Sequence, residues 1–530
     1  MSANSQTRPL GAQISHMLKS RGVDTIFGIP GVHNQEMYRG IEEAGITHVL
    51  TRHEQGAGFM ADGYARASGK PGVAYVITGP GLCNVMTPMG QAYSDSVPVL
   101  VISSCLDETA NYRGQLHQML DQEGAARTVC DWSYEARDAA SAYALVDRAL
   151  AEFTTRRPRS KHIQVPISAL QGDAAPAPAP LAQPVQSHGD LPGGIAQRIK
   201  AARRPLFVLG GGAHSDVDAL RGALSRLNAA SFVSYAGRGL VRPGDPLFFG
   251  SSLARPDSLA VITTADLVVT VGCELSENDL WRRDLGHTCP MIRVDIDPEV
   301  LAQPIGATPV AMDGGAFFRA LNAALDGHTP ATAWTADEVT AARARWRADV
   351  DAERPGIIRV ADALRAVMPE DAMIFSDMTQ FAYTSKEVWD MPRPGHWHHP
   401  SGFGTLGYGM PAAIGGAMAR RGVGPTVAIA GDYGFQYTVQ ELGAAVEMNL
   451  PLPILLWDNG KLKEIEDSMI RAQIAPNAVI AHNPDFVALA RAYGAAATAP
   501  KSLGDLQSAL LDALQANSPT LIYMTGDMMD

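Results

Sequence analysis

The chain has 530 residues and an acidic charge balance, with 43 Lys and Arg against 55 Asp and Glu and a formal net charge of -12. That surplus argues against nucleic acid or an anionic membrane as the main partner. With 46% hydrophobic and 18% charged residues, the chain is not disordered as a whole, and its length predicts about three domains.

The five cysteines are scattered, without a C-x-x-C pair, and they argue against a disulfide framework or a zinc site. The first residues contain no apolar signal segment, and no stretch reaches the ~18 apolar residues of a membrane span. The sequence therefore predicts a cytoplasmic protein that does not associate with a membrane.

Two changes in composition divide the chain. Residues 172–194 are rich in proline and alanine, which favours an extended conformation and predicts a linker. Residues 327–355 combine helical spacing with many charges and predict a connector helix on the surface. The predicted domains are the three remaining blocks, 1–171, 195–326 and 356–530.

Each block alternates apolar runs with segments of helical spacing. In chain order the apolar runs are VDTIFGIP, GVAYVIT, VPVLVISS, PLFVLGGG, ADLVVTVG, MIRVDID, DAMIFSD, PTVAIAGD, LPILLWDN and TLIYMT. Apolar strands that alternate with helices indicate buried parallel sheets with helices on both faces. We therefore predict an α/β protein with three doubly wound parallel-sheet domains, whose ligands bind beyond the carboxyl ends of the strands.

In the first block, Glu54 follows the predicted strand ITHVL and opens a helix of small residues. An acid at the start of a helix can simply complement the helix dipole. A buried carboxylate here could instead hold or move one proton. Small residues at 56, 57 and 61 would let another backbone pack closely over this helix, and both interpretations stay open.

In the third block, Gly402, Gly404 and Gly407 form a G-x-G-x-x-G pattern. This pattern indicates dinucleotide binding only when an apolar strand directly precedes it. The preceding residues, MPRPGHWHHPS, do not form a core strand. We favour a glycine turn that lets the backbone approach a flat ligand, and a nicotinamide oxidoreductase remains as an alternative.

Polar residues follow two neighbouring predicted strands of the third block. One strand ends in Gly431-Asp432 and the next in Asp458-Asn459, with a helix between them. If the strands are parallel neighbours, Asp432 and Asn459 meet at one edge of the sheet. A carboxylate and an amide oxygen suit Mg²⁺ or Ca²⁺, with a phosphate completing the coordination. The alternative is that Asp432 caps the following helix and Asn459 only turns the chain.

Several motifs occur in order along almost the whole chain. They are F-G-I-P-G (27–31), R-H-E-Q-G-A (52–57), D-G-Y-A-R (62–66), T-G-P-G (78–81), V-D-I-D-P (294–298), G-T-L-G-Y-G-M-P-A-A-I-G (404–415) and G-D-Y-G-F-Q followed by D-N-G. In this set the chain resembles the thiamine-diphosphate enzymes of the acetolactate synthase and 2-oxo-acid decarboxylase family. The resemblance implies a pyrimidine-binding domain at 1–171, a central domain at 195–326 and a diphosphate- and Mg²⁺-binding domain at 356–530.

The resemblance also assigns residues to the cofactor. Glu54 matches the family's glutamate that hydrogen-bonds the aminopyrimidine ring, so that a ring nitrogen can take the proton of the thiazolium C2. Leu406 matches the bulky residue that wedges the cofactor into its bent shape, which brings those two atoms together. The backbone at Gly404 and Leu406 would bond the aminopyrimidine.

The same resemblance places the diphosphate and its metal in the third block. The turn that would hold the diphosphate consists of Gly431, Asp432, Tyr433 and Gly434. Mg²⁺ would be held by Asp432, Asn459 and the main-chain carbonyl of Lys461. The family's usual G-D-G has Tyr433 at its third position here, which would crowd the turn, and its usual N-N pair is Asp458-Asn459. Both ligand residues are kept, so we retain the metal site.

Other positions bear on the substrate. Pyruvate-decarboxylase-like members carry an Asp, a His-His pair and a Glu at three characteristic places. This chain has Val32 in place of the Asp, no His-His pair at the matching place, and Ile465 in place of the Glu. Acetolactate synthases carry a Trp soon after the metal motif, and KLKEIEDSMIRAQ has none. The segments FGIPGVH, GQLHQMLDQ and GDYGFQ most resemble those of 5-guanidino-2-oxopentanoate (2-ketoarginine) decarboxylases.

That substrate has a cationic guanidinium tail, which prefers carboxylate partners. Asp121, Glu464 and Asp467 are the candidate partners, and Val32 is a further candidate substrate contact. The alternative is that the acids of KLKEIEDSM only line a solvated helix face. His33 and His117 are candidate catalytic residues that would move protons or orient the substrate carboxylate, and the alternative is a structural role for each.

The resemblance implies that a 2-oxo acid is decarboxylated without oxidation to an aldehyde and CO₂, and we expect 5-guanidino-2-oxopentanoate to give 4-guanidinobutanal. An acetolactate-synthase-type carboligase and a non-catalytic binding or regulatory homologue are the alternatives. Family members build each site from two subunits, which implies a homodimer or homotetramer. The central block, with Gly210–Gly212, could bind FAD or a nucleotide. We expect no FAD because the block is short.

Overall fold

The computed structural model describes residues 6–108, 114–180, 190–480 and 482–529. Part of the predicted linker, 181–189, lies outside the described residues. Within them, three separate parallel sheets occur in chain order, each with helices between its strands. The predicted fold class, an α/β protein with three parallel-sheet domains, is confirmed.

The first domain contains a parallel sheet of strand order β3-β2-β4-β5-β7-β6, while β1 pairs with β8 in a separate antiparallel ladder. The strands are β1 (Arg8–Pro9), β2 (Thr25–Gly28), β3 (Thr47–Leu50), β4 (Gly72–Val76), β5 (Val99–Cys105), β6 (Trp132–Glu135), β7 (Lys161–Pro166) and β8 (Asp173–Ala174). The helices are α1 (Leu10–Ser20), α2 (Gln35–Glu43), α3 (Glu54–Ser68), α4 (Pro80–Ser94), α5 (Gln122–Arg127), α6 (Ala139–Thr155) and α7 (Ile167–Gln171).

The second domain contains a sheet of order β10-β9-β11-β12-β13. The strands are β9 (Pro205–Leu209), β10 (Ala230–Val233), β11 (Leu267–Val271), β12 (Met291–Asp295) and β13 (Thr308–Ala311). The helices are α8 (Ile195–Ala201), α9 (Val217–Leu227), α10 (Ser258–Ile262), α11 (Glu277–Leu280), α12 (Pro298–Leu301) and α13 (Gly314–Ala324).

A long helix, α14 (Ala336–Glu353), follows within the predicted connector 327–355. It is not entirely a surface helix, because Val339, Ala342 and Trp346 are buried in a core cluster of the second domain. One apolar stripe is therefore covered, while charged residues occupy the rest of the helix.

The third domain contains a sheet of order β15-β14-β16-β17-β19-β18. The strands are β14 (Met373–Ser376), β15 (Trp397–His398), β16 (Thr426–Gly431), β17 (Pro453–Asp458), β18 (Ala496–Thr498) and β19 (Thr520–Thr525). The helices are α15 (Ile357–Val367), α16 (Gln380–Val388), α17 (Gly409–Ala419), α18 (Asp432–Thr438), α19 (Leu442–Glu447), α20 (Lys463–Arg471), α21 (Phe486–Ala492) and α22 (Leu503–Gln515).

The first and third domains dock through α3 and α17, whose main chains touch. A Cβ atom at Gly63 would lie 1.9 Å from the carbonyl oxygen of Ala412, and one at Gly415 would lie 1.9 Å from that of Met60. Only glycine permits this approach, although glycine inside a helix costs about 1 kcal/mol relative to alanine. The small residues of α3 therefore serve the contact between domains.

A buried ionic network fixes the same junction. The Arg66 guanidinium contacts Asp62 at 2.7 Å and Asp95 at 2.9 Å. The Tyr408 hydroxyl donates to Asp62 at 2.7 Å, and the Gly402 amide donates to Asp95 at 2.7 Å. The D-G-Y-A-R motif of the first domain thus holds the glycine-rich loop of the third.

Among the residues that the structure describes, helices with the length and apolar character for a membrane crossing are absent.

Candidate active site

Glu54 is the first residue of α3 and lies at the carboxyl end of the first sheet. Its side chain is nearly buried, and its Oε2 accepts a 2.9 Å hydrogen bond from the Asn84 amide. Oε1 accepts no hydrogen bond from the described residues and faces Gly81. One oxygen of a positioned carboxylate is therefore available to a ligand donor.

The third domain clamps the turn that presents Glu54. Glu441, fully buried, accepts the Arg52 amide with both carboxylate oxygens, at 3.1 and 3.0 Å. A Cβ atom at Gly56 would lie 2.4 Å from this carboxylate, so glycine makes room for it. Burial raises the pKa of Glu441 to about 7, while the backbone amides of Arg52 and His53 oppose the rise. No local sequence pattern indicates Glu441, because its partner is 389 positions away.

The glycine-rich loop before α17 is held by a second missed acid, Asp377. Its carboxylate accepts the amides of Met378 at 2.7 Å, of Gly407 at 3.0 Å and of Gly409 at 3.0 Å. Burial raises the pKa of Asp377 to about 6, against those hydrogen bonds. Asp377 directly follows β14, so the rule of reading polar residues after strands would have identified it.

The loop itself has the conformation that its glycines permit. Gly404 and Gly407 have φ values of +66° and +87°, in the region that favours glycine. Leu406 lies between them and is half-buried. The preceding strand, β15, has two residues at the edge of its sheet, so the strand required for a dinucleotide fingerprint is not present before these glycines.

Asp432 and Asn459 follow β16 and β17, which are parallel neighbours paired at Gly431 and Trp457. Asp432 is the first residue of α18, after the N-cap residue Gly431. Asn459 Oδ1 accepts the Lys461 amide at 3.3 Å, and its Nδ2 donates to Gln380 at 3.2 Å. A carboxylate and an amide oxygen therefore follow neighbouring strands, and both are hard-oxygen ligands.

Asn483, which no sequence pattern indicates, bridges two carboxylates at this edge of the third sheet. Its Nδ2 donates to Asp432 at 2.8 Å and to Asp458 at 2.9 Å. Burial, with a contribution from Asp458, raises the pKa of Asp432 to about 6. Within the described residues no group of three or more His, Cys, Asp or Glu side chains is placed to hold a metal. A metal here would therefore depend on amide, carbonyl and ligand oxygens.

The turn after β16 is shaped for close packing. Gly431 and Gly434 flank Asp432 and the half-buried Tyr433. A Cβ atom at Gly434 would lie 2.8 Å from the Asp377 carboxylate carbon, so this glycine joins the turn to the acid that holds the glycine-rich loop.

His33 and His117 are brought together, although the sequence separates them. Their rings meet edge to face at 4.9 Å between centroids, and the Nδ1 atom of each is buried without a hydrogen-bond partner. Burial and the neighbouring His117 lower the pKa of His33. The His117 main chain packs on the T-G-P-G turn, because a Cβ at Gly79 would lie 2.3 Å from its carbonyl oxygen.

Each candidate acid for the substrate tail already has a partner. Asp121 is exposed and caps α5 by accepting the Gly124 amide at 2.7 Å. Glu464 accepts two bonds from Arg354, at 2.9 and 3.2 Å, and one from Gln380. Asp467 pairs with Lys463. Val32 is 62% exposed. The two acids of α20 lie in the third domain, and Asp121 and Val32 lie in the first.

The glycines of the second domain pack against its own main chain. A Cβ at Gly210 would lie 2.1 Å from the Gly272 carbonyl oxygen, and one at Gly314 would lie 2.9 Å from the Ala213 Cα. These contacts join the loops after β9 and β11. They account for the glycine run without a bound nucleotide, and the expectation that FAD is absent stays a prediction.

Comparison with known proteins identifies the family. The chain matches the models of the thiamine pyrophosphate enzyme N-terminal TPP binding domain over residues 8–125, the central domain over 194–321 and the C-terminal TPP binding domain over 377–524. A probable 2-ketoarginine decarboxylase of Pseudomonas aeruginosa is 42% identical, covering 98% of this chain and 94% of that protein.

Acetolactate synthases are more distant. The isozyme 2 large subunit of Escherichia coli is 28% identical over 98% of this chain and 96% of its own, and the large subunit of Haemophilus influenzae is 29% identical over 94% and 90%. The predicted family resemblance is confirmed. The chain belongs to the thiamine pyrophosphate enzymes, in the group that contains acetolactate synthases and 2-oxo-acid decarboxylases.

Proposed function

We propose that this enzyme decarboxylates 5-guanidino-2-oxopentanoate to 4-guanidinobutanal and CO₂, with thiamine diphosphate and Mg²⁺. The 42% identity to a probable 2-ketoarginine decarboxylase, against 28–29% to the synthases above, carries the proposal. Thiamine diphosphate, when bound, would supply a nucleophilic carbon for the 2-oxo carbon and a cationic ring that takes up the electron pair left behind when CO₂ departs.

The residues of the first domain fit the aminopyrimidine end of the cofactor. The open Oε1 of Glu54 is the group that would hydrogen-bond a protonated ring nitrogen, and Asn84 and Glu441 hold that carboxylate in place. The paired histidines His33 and His117 would move a proton to the product carbon or orient the substrate carboxylate. Their unpartnered Nδ1 atoms support that role.

The residues of the third domain fit the diphosphate and metal end. Asp432, Asn459 and the Lys461 carbonyl would hold Mg²⁺, whose remaining ligands would be diphosphate oxygens and water. The turn Gly431–Gly434 would lie against the diphosphate, and Gly404 and Leu406 would lie against the rings. The cluster of Asp432 and Asp458, joined by one neutral amide, is a place where a cation would relieve charge repulsion.

The acids differ in their readiness to bind the substrate tail. Glu464 already forms a bidentate ion pair with Arg354 of the same chain, and a half-buried pair of this kind is costly to break. Asp467 pairs with a partly exposed lysine, and a surface pair of this kind contributes only about 0–1 kcal/mol. Asp467 and the exposed Asp121 are therefore the carboxylates that can change partner at least cost.

A second copy of this chain would complete the site. Leu116 and Leu120 in the first domain are 62% and 77% exposed, while Ile470 and Ile480 in the third are 56% and 68% exposed. Helix α20 buries none of its residues within one chain. Apolar exposure on both halves of the proposed site supports a homodimer, or a homotetramer of such dimers, with sites at the interface. The predicted cytoplasmic location is part of the same proposal.

The test is CO₂ release by the cofactor-loaded enzyme. The substrates are 5-guanidino-2-oxopentanoate, 2-oxohexanoate with its uncharged tail, pyruvate, branched 2-oxo acids and benzoylformate, with products assayed for aldehyde and acetolactate. Fast release from the guanidino acid with aldehyde formed supports the proposal. Acetolactate from pyruvate would instead identify a synthase, and no turnover of any acid would identify a non-catalytic homologue.

Variants separate the assigned roles. Glu54→Gln should lower kcat about 100-fold or more, because it cannot hold the ring proton as a carboxylate does. Asp467→Asn or Asp121→Asn should raise KM for the guanidino acid and not for 2-oxohexanoate. Asp512→Asn, at an exposed acid of α22, is the matched control. An equal effect on both substrates would remove these acids from tail recognition.

A further inference from the structure

Two buried cations lie together between the second and third domains, without a carboxylate partner. Lys386, on α16, is 8% exposed, and its ammonium lies 4.0 Å from the ring centre of Tyr235 and 5.2 Å from that of Tyr383. Among the described residues it has no hydrogen-bond acceptor and no ion pair. Both tyrosine hydroxyls stay neutral, because burial raises the pKa of Tyr235 and of Tyr383.

Arg238 is the second cation. It is 4% exposed, its guanidinium lies 4.2 Å from the ring centre of Trp397, and it donates to the Trp389 carbonyl at 2.6 Å. Its Nε–H is buried without an acceptor.

His399 brings a third unsatisfied group. Its ring meets Tyr383 edge to face at 5.9 Å, and its Nε2 is buried without a partner. Its Nδ1 contacts the Ser376 hydroxyl at 2.9 Å. The Ser376 hydroxyl has a single proton and donates it to the His398 carbonyl at 3.2 Å, so it accepts from the Nδ1–H of His399. In the neutral ring Nε2 is then an acceptor and not a donor.

The neighbouring acids are committed elsewhere. Glu387 pairs with Arg255, and Asp390 pairs with Arg343 at 2.6 Å. Asp279 is hydrogen-bonded to Ser276, and burial raises its pKa to about 6. The cluster therefore carries more positive charge than the chain itself neutralises.

The same chain shows how it accommodates a buried lysine elsewhere. Lys161 is 1% exposed, and its ammonium contacts Asp131 at 2.9 Å and Glu152 at 3.4 Å. Buried charges are normally paired, because desolvation is costly, and an aromatic face compensates only part of that cost. Lys386 and Arg238 lack the compensation that Lys161 has.

We propose that a small oxyanion, a carboxylate or a phosphate, binds between the second and third domains on Lys386 and Arg238. The Lys386 ammonium and the free Nε–H of the Arg238 guanidinium are the donors that such a group accepts. His399 lies five residues before Gly404, on the segment that leads into the glycine-rich loop. Tyr383, which lies against the Lys386 ammonium, is also 5.8 Å from the Arg354 guanidinium that pairs with Glu464, so the cluster adjoins one candidate substrate residue.

The test is anion-dependent thermal stability of the holoenzyme, saturated with thiamine diphosphate and Mg²⁺ so that phosphate does not report on the diphosphate site. Sodium phosphate and sodium acetate are titrated in a cationic buffer at ionic strength held constant with NaCl. We expect a saturable rise in the melting midpoint. Lys386→Met and Arg238→Met should weaken the apparent affinity at least tenfold. Lys161→Met, which removes a buried lysine with its own partners, should keep the response.

The two anions distinguish the sources of the ligand. A response to acetate alone identifies a carboxylate site, and a response to phosphate alone identifies a phosphate site. A response to neither, or equal titrations of wild type and both variants, overturns the proposal. If the variants do not fold, acylation of wild-type lysines followed by mass spectrometry replaces them. The anion should then protect Lys386 severalfold and not the exposed Lys501, and equal labelling overturns the proposal.

Discussion

The close crossing of α3 and α17 predicts a sharp difference between two glycine-to-alanine substitutions. Gly63 lies inside α3, where a Cβ would be 1.9 Å from the Ala412 carbonyl oxygen. Gly222 lies inside α9, where the nearest atom to a Cβ is the Asn322 amide nitrogen at 3.6 Å, an ordinary contact. Both positions are helical, so Gly222→Ala is the matched control for Gly63→Ala.

The expected magnitude follows from these distances. Real Cβ atoms do not approach other atoms within 3.0 Å, so Gly63→Ala must separate the two main chains by about 1.1 Å, the difference between 3.0 and 1.9 Å. Overpacking of a core costs about 1–3 kcal/mol, and the obstructing atom is a main-chain oxygen that cannot swing aside, which favours the upper end. The higher helix propensity of alanine, compared with glycine, offsets about 1 kcal/mol of that cost. The net cost is about 2 kcal/mol for Gly63→Ala, against a gain of up to about 1 kcal/mol for Gly222→Ala.

The assay compares apparent melting midpoints of the loaded enzyme, because a chain of several domains does not unfold in two states. Gly63→Ala should melt several degrees below wild type, and Gly222→Ala at or above it. Gly63→Ala should also lower activity, since α17 begins where the glycine-rich loop ends. Equal midpoints for the two variants would refute the view that main-chain contact sets the docking distance.

Three further changes test the site. Burial raises the pKa of Glu441 from an ordinary 4.5 to about 7, so the folded state keeps a proton that the unfolded chain releases, and its contribution to stability falls as pH rises between these values. The melting midpoint of Glu441→Gln relative to wild type should therefore rise across that window and level off above it; a flat difference would contradict the assignment. Arg66→Met leaves Asp62 and Asp95 buried without their guanidinium and should cost about 3–5 kcal/mol, seen as a large fall in melting midpoint, whereas a midpoint close to wild type would show that these acids are neutral. Chelation of Mg²⁺ should abolish CO₂ release reversibly, and Asp432→Asn should raise the Mg²⁺ concentration for half-maximal rate about tenfold or more; an unchanged Mg²⁺ requirement would exclude Asp432 as a ligand.

The parallel sheets were predictable because most of their strands are continuous apolar runs. Strand β7, KHIQVP, was missed because it begins with polar residues. In the structure Lys161 pairs with Asp131 and Glu152, and both ring nitrogens of His162 contact serine hydroxyls, at 2.8 and 2.7 Å. Polar side chains can fill a buried strand when distant segments supply their partners, and a single sequence does not show those partners.

The residues of the candidate site likewise fall into those that the sequence indicates and those that it does not. Asp432 and Asn459 were identified because each directly follows an apolar strand, and Glu54 because it follows a strand and matches a family motif. Glu441 and Asn483 were not, because each acts on residues far along the chain. The meeting of His33 with His117 likewise depends on how the T-G-P-G turn packs, which no local pattern indicates.

The contact between α3 and α17 also has a consequence for recombination. Because the two helices meet main chain to main chain, their junction requires glycine at 63 and 415, in addition to the buried ion pairs of Arg66 with Asp62 and Asp95. Chimeras that join the first domain of one diverged homologue to the third domain of another should assemble when both glycines and these ion pairs are kept. Their melting midpoints should fall when either position carries a larger residue, however similar the parents are elsewhere.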